Sequence, residues 1–367
     1  MYEIEEKKER TLLVGVAASA SLRWDEADSL EELAQLSMTA GVDVLEKILQ
    51  IREKPFPRFF IGKGKVEEIR DLCRNHNIDC VVFNSDLTPA QSRNLEETIG
   101  RKVLDRTELI LEVFAQHART KAAYIQVELA QLNYRLPRLV GKGVSLSRLG
   151  GGIGTRGPGE KKLEVDRRRI RERIGRLQME LRKLERTRKV QRKKRRGLFN
   201  AAIVGYTNAG KSLLMNRITH AEVDVEDKLF TTLDPRTRLV VLDRGKKVLL
   251  TDTVGFIKGL PHHLVASFHS TLEEVVDAEL RLHVVDVSET NYEEKLADAN
   301  AVLAELNCLE KPHLLVFNKI DLLPDGKSVS RLLRKHPHSV CISALTGEGT
   351  DRLKRLIAES LFLKVSR

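Results

Sequence analysis

Apolar and polar positions along the chain follow three successive patterns. From residue 1 to about 106, short apolar runs of strand character alternate with amphipathic stretches of helical period. Strand candidates are Leu12–Ala17, Val42–Ile51, Phe59–Ile61 and Cys80–Phe83, and helix candidates are Ser29–Ala40, Lys65–Asn75 and Pro89–Ile99. Turn chemistry marks the breaks: Lys54-Pro55-Phe56-Pro57, Gly62-Lys63-Gly64, and Thr88-Pro89, where proline opens a helix. Alternation of this kind predicts a small α/β domain with a largely parallel sheet.

Between 107 and 197 the period changes to a heptad. Ala118, Ala122, Ile125, Leu129, Leu132 and Leu136 recur at alternating gaps of four and three, and Leu163, Ile170, Ile174, Leu177, Leu181 and Leu184 do much the same. Each stripe buries one apolar seam, so a long antiparallel helical hairpin is expected. Its two helices flank Gly150–Gly159, six glycines in ten residues. This loop reads either as a flexible linker or as a backbone free to approach a phosphate-rich surface, with Arg148 and Arg156 supplying charge.

From 198 to 367 the alternation returns, with strands near Ala201–Val204, Thr237–Leu242, Val248–Thr251, Leu282–Val287, Leu314–Asn318 and Ser339–Ile342. Helical runs fall near Ser212–Ile218, Leu264–Val276, Tyr292–Leu306, Ser328–Arg334 and Thr350–Leu361. Asp243-Arg244-Gly245-Lys246 reads as a hairpin turn, which places one antiparallel edge on a doubly wound, mostly parallel sheet. The expected α/β architecture is therefore three-part: a small N-terminal domain (1–106), a basic helical hairpin (107–197) and a P-loop domain (198–367).

Composition changes this picture in one respect. The net charge of +11 is concentrated: Glu160–Arg196 carries 18 Lys and Arg against 6 Asp and Glu, and the remainder, 45 basic against 46 acidic, is nearly neutral. A mixed-charge helix is often only a solvated face, but like charges this dense repel along a helix unless a polyanion compensates them. No run approaches the roughly 20 apolar residues of a membrane span, and Met1–Arg10 lacks the apolar core of a signal peptide. Cys73, Cys80, Cys308 and Cys341 show no CxxC spacing, and His76 beside the first two leaves a zinc set incomplete. The expectation is a cytoplasmic protein with reduced, unliganded cysteines.

The chemistry lies in the third region. Gly205-Tyr206-Thr207-Asn208-Ala209-Gly210-Lys211-Ser212 fits GxxxxGK[ST], with an apolar strand before it and a helical run after it. Backbone N–H groups and the helix N-terminus would cradle phosphates, Lys211 would bridge the β- and γ-phosphates, and Ser212 would ligate Mg²⁺. Asn318-Lys319-Ile320-Asp321, at a strand end, makes the site a guanine site, because an aspartate accepts from both N1–H and the exocyclic amine, a donor pair that adenine lacks. Ser343-Ala344-Leu345 offers a backbone N–H to the guanine O6. Asp252-Thr253-Val254-Gly255 supplies the carboxylate behind Mg²⁺ and a glycine N–H for the γ-phosphate. Phe230-Thr231-Thr232-Leu233-Asp234 lies between, where Thr232 would complete Mg²⁺ coordination only when the γ-phosphate is present. Lys211, Thr232 and Gly255 are thus the candidate catalytic residues, with Ser212 and Thr232 as metal ligands.

Two positions depart from the commonest arrangement. Phe256 stands where many small GTPases carry a water-orienting glutamine, so intrinsic turnover is expected to be slow, on the order of 10⁻⁴ to 10⁻² s⁻¹, and raised by a partner. Asn208 is a candidate ligand for a monovalent cation such as K⁺.

The whole chain resembles the HflX family of ribosome-associated GTPases. The resemblance rests on Phe60-Ile61-Gly62-Lys63-Gly64-Lys65, Gln126-Val127-Glu128-Leu129-Ala130-Gln131-Leu132 and Gly154-Thr155-Arg156-Gly157-Pro158-Gly159-Glu160, with Gly205–Ser212 and Asp252–Phe256. The family usually has Thr where Lys161 and Leu213 stand, and its longer members carry a small C-terminal domain, which is not expected here after Leu363. The resemblance implies GTP- and Mg²⁺-dependent binding to the large ribosomal subunit and its rRNA, with splitting or recycling of stalled ribosomes under stress. A monomer is expected. The different-class alternative is a nucleotide-gated RNA-binding module in which hydrolysis is incidental. Nucleotide chemistry at Gly62 and Gly64 is a further alternative, weakened by the missing GK[ST] ending.

Overall fold

The computed structural model describes residues 8–139, 158–193, 197–219, 229–230, 233–242, 245–259 and 269–362. The glycine loop up to Gly157, Thr231, Thr232, Asp243, Arg244 and the first turn of the helix expected from Leu264 lie outside the described residues. Two compact units form: Met1–Gln116 with Tyr124–Arg182, and His117–Ala123 with Lys183–Arg367.

The first unit opens β1 (Arg10–Ala17), α1 (Arg23–Thr39), β2 (Asp43–Ile51), α2 (Lys63–Asn75), β3 (Cys80–Phe83), α3 (Pro89–Ile99) and β4 (Lys102–Asp105). The strands make a wholly parallel sheet in the order β2-β1-β3-β4. Parallel strands need helical crossovers, and those helices cover the sheet, which is why β3 reads as four consecutive buried apolar residues. Thr88 closes the N-terminus of α3 with a capping box to Gln91, and Gly100 ends it at φ 72°.

Two local expectations change. Phe59–Ile61 is no strand; Phe56 and Phe60 make an isolated antiparallel bridge around Pro57, with Phe60 at φ 66°. Pro55 and Pro57 lack the N–H groups that a strand ladder needs. The short β4 gave no alternating pattern to read, yet it pairs along its whole length with β3.

At the carboxyl ends of β1 and β3, polar side chains are locked together. Arg106 is buried and donates to Asn84 Oδ1 at 2.7 Å and to the Glu32 carboxylate, while Asn84 Nδ2 donates to Glu26 (2.8 Å) and Ser29 (2.9 Å). Removing one member of a buried ion pair strands the other charge, at about 3–5 kcal/mol. Arg106→Ala is therefore expected to raise hydrogen-exchange rates of the β1 and β3 core amides by about two orders of magnitude or more. Unchanged exchange would show that water solvates Glu32 and that the pair contributes little.

The heptad run beginning at Ala118 predicts one helix, but the chain breaks there. α4 (Arg106–His117) ends before Ala118 and α5 (Lys121–Arg138) begins three residues later. α6 (Pro158–Lys193) is the basic helix. Arg173 on α6 grips the Glu128 carboxylate of α5 through two bonds, 2.7 and 2.8 Å, and Leu177 is buried.

The second unit contains β5 (Phe199–Gly205), α7 (Lys211–Thr219), β6 (Arg236–Val241), β7 (Lys247–Asp252), α8 (His269–Asp277), β8 (Leu280–Asp286), α9 (Tyr292–Glu305), β9 (His313–Asn318), α10 (Gly326–Lys335), β10 (Ser339–Cys341) and α11 (Thr350–Phe362). Its sheet runs β10-β9-β8-β5-β7-β6, parallel except for the β6 edge. One core cluster gathers Ile203, Leu214, Leu250, Leu282, Val316, Ile342 and Leu353, and a separate one gathers Val285, Val287, Phe317 and Leu332. β5 lies between β8 and β7, so the crevice outside its carboxyl end is the topological switch point at which such sheets bind ligands.

Candidate nucleotide site

The loop leaving β5 is shaped by close backbone approach. At Gly205 (φ 145°) a Cβ would fall 2.2 Å from the Val284 carbonyl oxygen, and at Gly210 (φ 85°) 2.3 Å from Asn318 Nδ2. Asn208 between them also adopts positive φ, 58°. Both glycines are thus required by contact as well as by backbone conformation. The loop is zipped to the segment after β7: Thr207 N donates to the Phe256 carbonyl at 2.7 Å, and Phe256 N donates to the Gly205 carbonyl at 3.0 Å. Gly255 fits there because a Cβ would meet Thr207 Cα and Cγ2 at 2.8 Å and Lys211 Nζ at 2.9 Å.

Lys211 opens α7 with its side chain buried, and Nζ donates to the Tyr206 carbonyl at 2.6 Å. Burial lowers its pKa to about 8, opposed by the nearby Asp252 carboxylate. Ser212 Oγ donates to Asp252 Oδ2 at 2.6 Å. A hydroxyl and a carboxylate converging on one point are hard oxygen donors of the kind Mg²⁺ takes, so these residues fit the ion. Leu213, where a hydroxyl residue is common, packs against the apolar core instead.

Phe256 is fully buried and its side chain is part of the interior. The position that often holds a catalytic glutamine therefore serves packing, and its backbone serves the loop zipper.

The guanine end is built by bridging. Asn318, at the end of β9, donates through Nδ2 to the Ala209 carbonyl (2.8 Å) and accepts through Oδ1 from Ala344 N (2.9 Å). One buried amide thereby ties the phosphate loop to Ser343-Ala344-Leu345. Lys319 stands at φ 65° with its ammonium 2.6 Å from Asp286. Ile320 and Asp321 follow on a short 3₁₀ turn, where Asp321 is exposed. Ser343 is buried and its Oγ accepts from Thr346 N at 3.1 Å, which shapes the loop. Leu345 is exposed.

The phosphate loop, Asp252–Gly255, Asn318 and Ala344 are thus brought together. In the intervening segment Phe230 (φ 57°) and Leu233 are buried. Asp234 directs its carboxylate to Arg119 N and Thr120 N. Sequence reasoning misses three supports. Arg217 Nε on α7 donates to the Ala344 carbonyl (3.1 Å), Asp286 anchors Lys319, and the Tyr206 hydroxyl accepts from Lys258 N. Arg217 and Asp286 sit in no short motif, and Tyr206 lies in the phosphate-loop motif without its hydroxyl's partner being readable there; only the helical offset of Arg217 from Lys211 carries a hint.

Family models match along the chain: "GTP-binding GTPase N-terminal" over residues 27–115, "GTP-binding GTPase Middle Region" over 117–195, and "50S ribosome-binding GTPase" over 200–319. The GTPase HflX of Caldanaerobacter subterraneus is 49% identical across 99% of this chain and 83% of its own length. The chain belongs to the HflX family of GTPases. The HflX of Escherichia coli is 45% identical over 93% of this chain and 80% of its own. A solved structure of SsGBP with GDP is 26% identical, with 98% of this chain and all of that one aligned at a TM-score of 0.51.

As an HflX protein the chain is a GTP-binding, GTP-hydrolysing enzyme, and the P-loop geometry above is its nucleotide-binding fold. Among the described residues no helix is long and apolar enough to cross a membrane, and all four cysteines are free and buried.

Proposed function

We propose that this HflX GTPase is a cytoplasmic, monomeric switch. Its GTP form grips the large ribosomal subunit through rRNA, and hydrolysis resets it after splitting or recycling a stalled ribosome. The observation that carries the reading is the basic excess of Glu160–Arg196, 18 basic against 6 acidic residues, most of it on α6. rRNA phosphates would relieve that repulsion, and the 50S ribosome-binding name of the matched GTPase model agrees with it.

At the site, Gly205–Ser212 wraps the phosphates and Lys211 neutralises charge between the β- and γ-groups. Ser212 and Thr232 would hold Mg²⁺, with Asp252 behind, and the ion when bound neutralises the developing phosphate charge. Gly255 N–H would face the γ-phosphate, Asn208 would hold K⁺, and Asp321, Lys319 and the Ser343–Leu345 backbone would read the base. Slow turnover follows from Phe256, whose buried ring leaves no side chain at that position to orient water.

That same burial favours the second reading, an RNA-binding module with negligible hydrolysis. Co-sedimentation with ribosomes in GTP, GDP and a non-hydrolysable analogue tests both. Pelleting is expected with GTP and the analogue, weaker with GDP, and falling steeply as salt rises. Equal pelleting in all three states would overturn the switch. GTP turnover that large subunits fail to stimulate would favour the second reading.

A further inference from the structure

Arg217 lies on α7, the helix that Lys211 opens, and its side chain reaches the loop after β10. Nε donates to the Ala344 carbonyl at 3.1 Å, and Nη2 donates to the Leu345 carbonyl. A guanidinium presents its donors in a fixed planar fork, so two successive carbonyls are gripped together. The other backbone groups of this loop are committed elsewhere. Ser343 N donates to the Glu348 carbonyl (3.0 Å) and Gly347 N to the Ser343 carbonyl (2.8 Å). Ala344 N donates to Asn318 Oδ1 (2.9 Å), and Thr346 N to Ser343 Oγ (3.1 Å). Of the Ser343–Leu345 donors, only the Leu345 N–H has no partner among the described residues. That N–H and the Ala344 carbonyl belong to one planar peptide and point in opposite directions. Holding the carbonyl on Arg217 therefore fixes the line along which the Leu345 N–H points, away from the guanidinium.

We propose that Arg217 is a positioning residue for guanine selection, which aims the Leu345 N–H at O6 of the base by holding the carbonyls on either side. The inference rests on the reading above, in which Asp321 and the Ser343–Leu345 backbone read the base, and it narrows the second of these to one N–H. Guanine carries an acceptor at position 6 and adenine an amine donor, so an N–H of fixed direction pairs with one and opposes the other. An N–H free to turn aside would lose that discrimination, because the loop could move away from the wrong base at little cost. Asp321 is assigned the N1–H and the 2-amino group, so positions 2 and 6 of the purine report on different residues.

Calorimetric binding of GDP, inosine diphosphate and 6-thioguanosine diphosphate to the full chain tests this. Inosine lacks only the 2-amino group, and 6-thioguanine exchanges O6 for sulfur, a weak acceptor. Wild type is expected to prefer GDP over each analogue by about tenfold, roughly the worth of one hydrogen bond. Arg217 is exposed, so Arg217→Ala leaves the fold in place. The variant is expected to bind GDP about tenfold more weakly and to prefer it over the 6-thio analogue by about twofold or less. Its preference for GDP over inosine diphosphate is expected to stay within about twofold of wild type, since that ratio reports on Asp321. A loss shared equally by all three nucleotides would make Arg217 a general support of the loop and overturn the proposal, as would an unchanged affinity for GDP. If wild type distinguishes both analogues and the variant keeps both ratios, the proposal fails and the base reading stands. If wild type distinguishes neither, the base reading fails and the proposal with it.

Discussion

Lys211→Ala is expected to lower GTP turnover at saturating nucleotide by about 10³-fold, the loss typical when one preorganised charge is taken from a transferring phosphoryl group. The fold should survive, since the change removes a buried ammonium whose hydrogen bond goes to the Tyr206 carbonyl. Burial lowers the Lys211 pKa to about 8 from an ordinary 10.5. Between those values the unfolded chain binds the proton and the folded one does not, so stability contributed by this group rises with pH across that window. The charged lysine is a cost of folding below about pH 8, and a polyphosphate opposite it removes that cost by favouring the ammonium. GTP binding should therefore take up a proton above pH 8 and little below it. Titration calorimetry in two buffers of different ionisation enthalpy, at about pH 7 and about pH 9, reads this directly. Turnover within about threefold of wild type, or no proton uptake at the higher pH, would remove Lys211 from its assigned role.

Much of the nucleotide domain is legible in the sequence because its chemistry is local. A strand, a tight glycine loop and a helix start follow one another between Phe199 and Lys211 and leave few alternatives. Gly205 and Gly210 are demanded there because a Cβ would fall 2.2 and 2.3 Å from neighbouring atoms, a clash that only glycine avoids. The short motifs Asp252–Gly255 and Asn318–Asp321 are readable for the same reason: each ends an apolar strand. What escapes is whatever depends on elements distant in sequence. The bonds of Arg217 to Ala344 and of Asp234 to Thr120 join residues 127 and 114 positions apart, and no periodicity announces them. β4 is missed because four residues of mixed polarity carry no period until β3 pairs with them. The heptad stripe misleads at Ala118 because a seam of apolar positions records burial, and burial continues across the break between α4 and α5, with Ala118 and Ala122 both buried.

Asp321→Asn is expected to weaken GTP binding by about 10² to 10³-fold and to shift preference toward xanthosine triphosphate. The carboxylate has two acceptors to offer, which match the N1–H and 2-amino donors of guanine; a carboxamide presents one acceptor and one donor. Xanthine carries a carbonyl where guanine carries its amine, so the amide N–H introduced by the substitution meets an acceptor in xanthine and a second donor in guanine. The exchange tests the side chain alone, because the backbone around it is fixed by other bonds. Lys319 is held by Asp286 at 2.6 Å, Ile320 N donates to the Ile342 carbonyl at 3.3 Å, and Asn318 spans the two loops. Asp321 is exposed, so the loss of its charge leaves folding stability nearly unchanged. Competition of GTP and xanthosine triphosphate for the variant, read by calorimetry, decides the matter. An unaltered preference for GTP would mean that the base is read elsewhere, and the Ser343–Leu345 backbone, with Arg217 behind it, would then be the place to look.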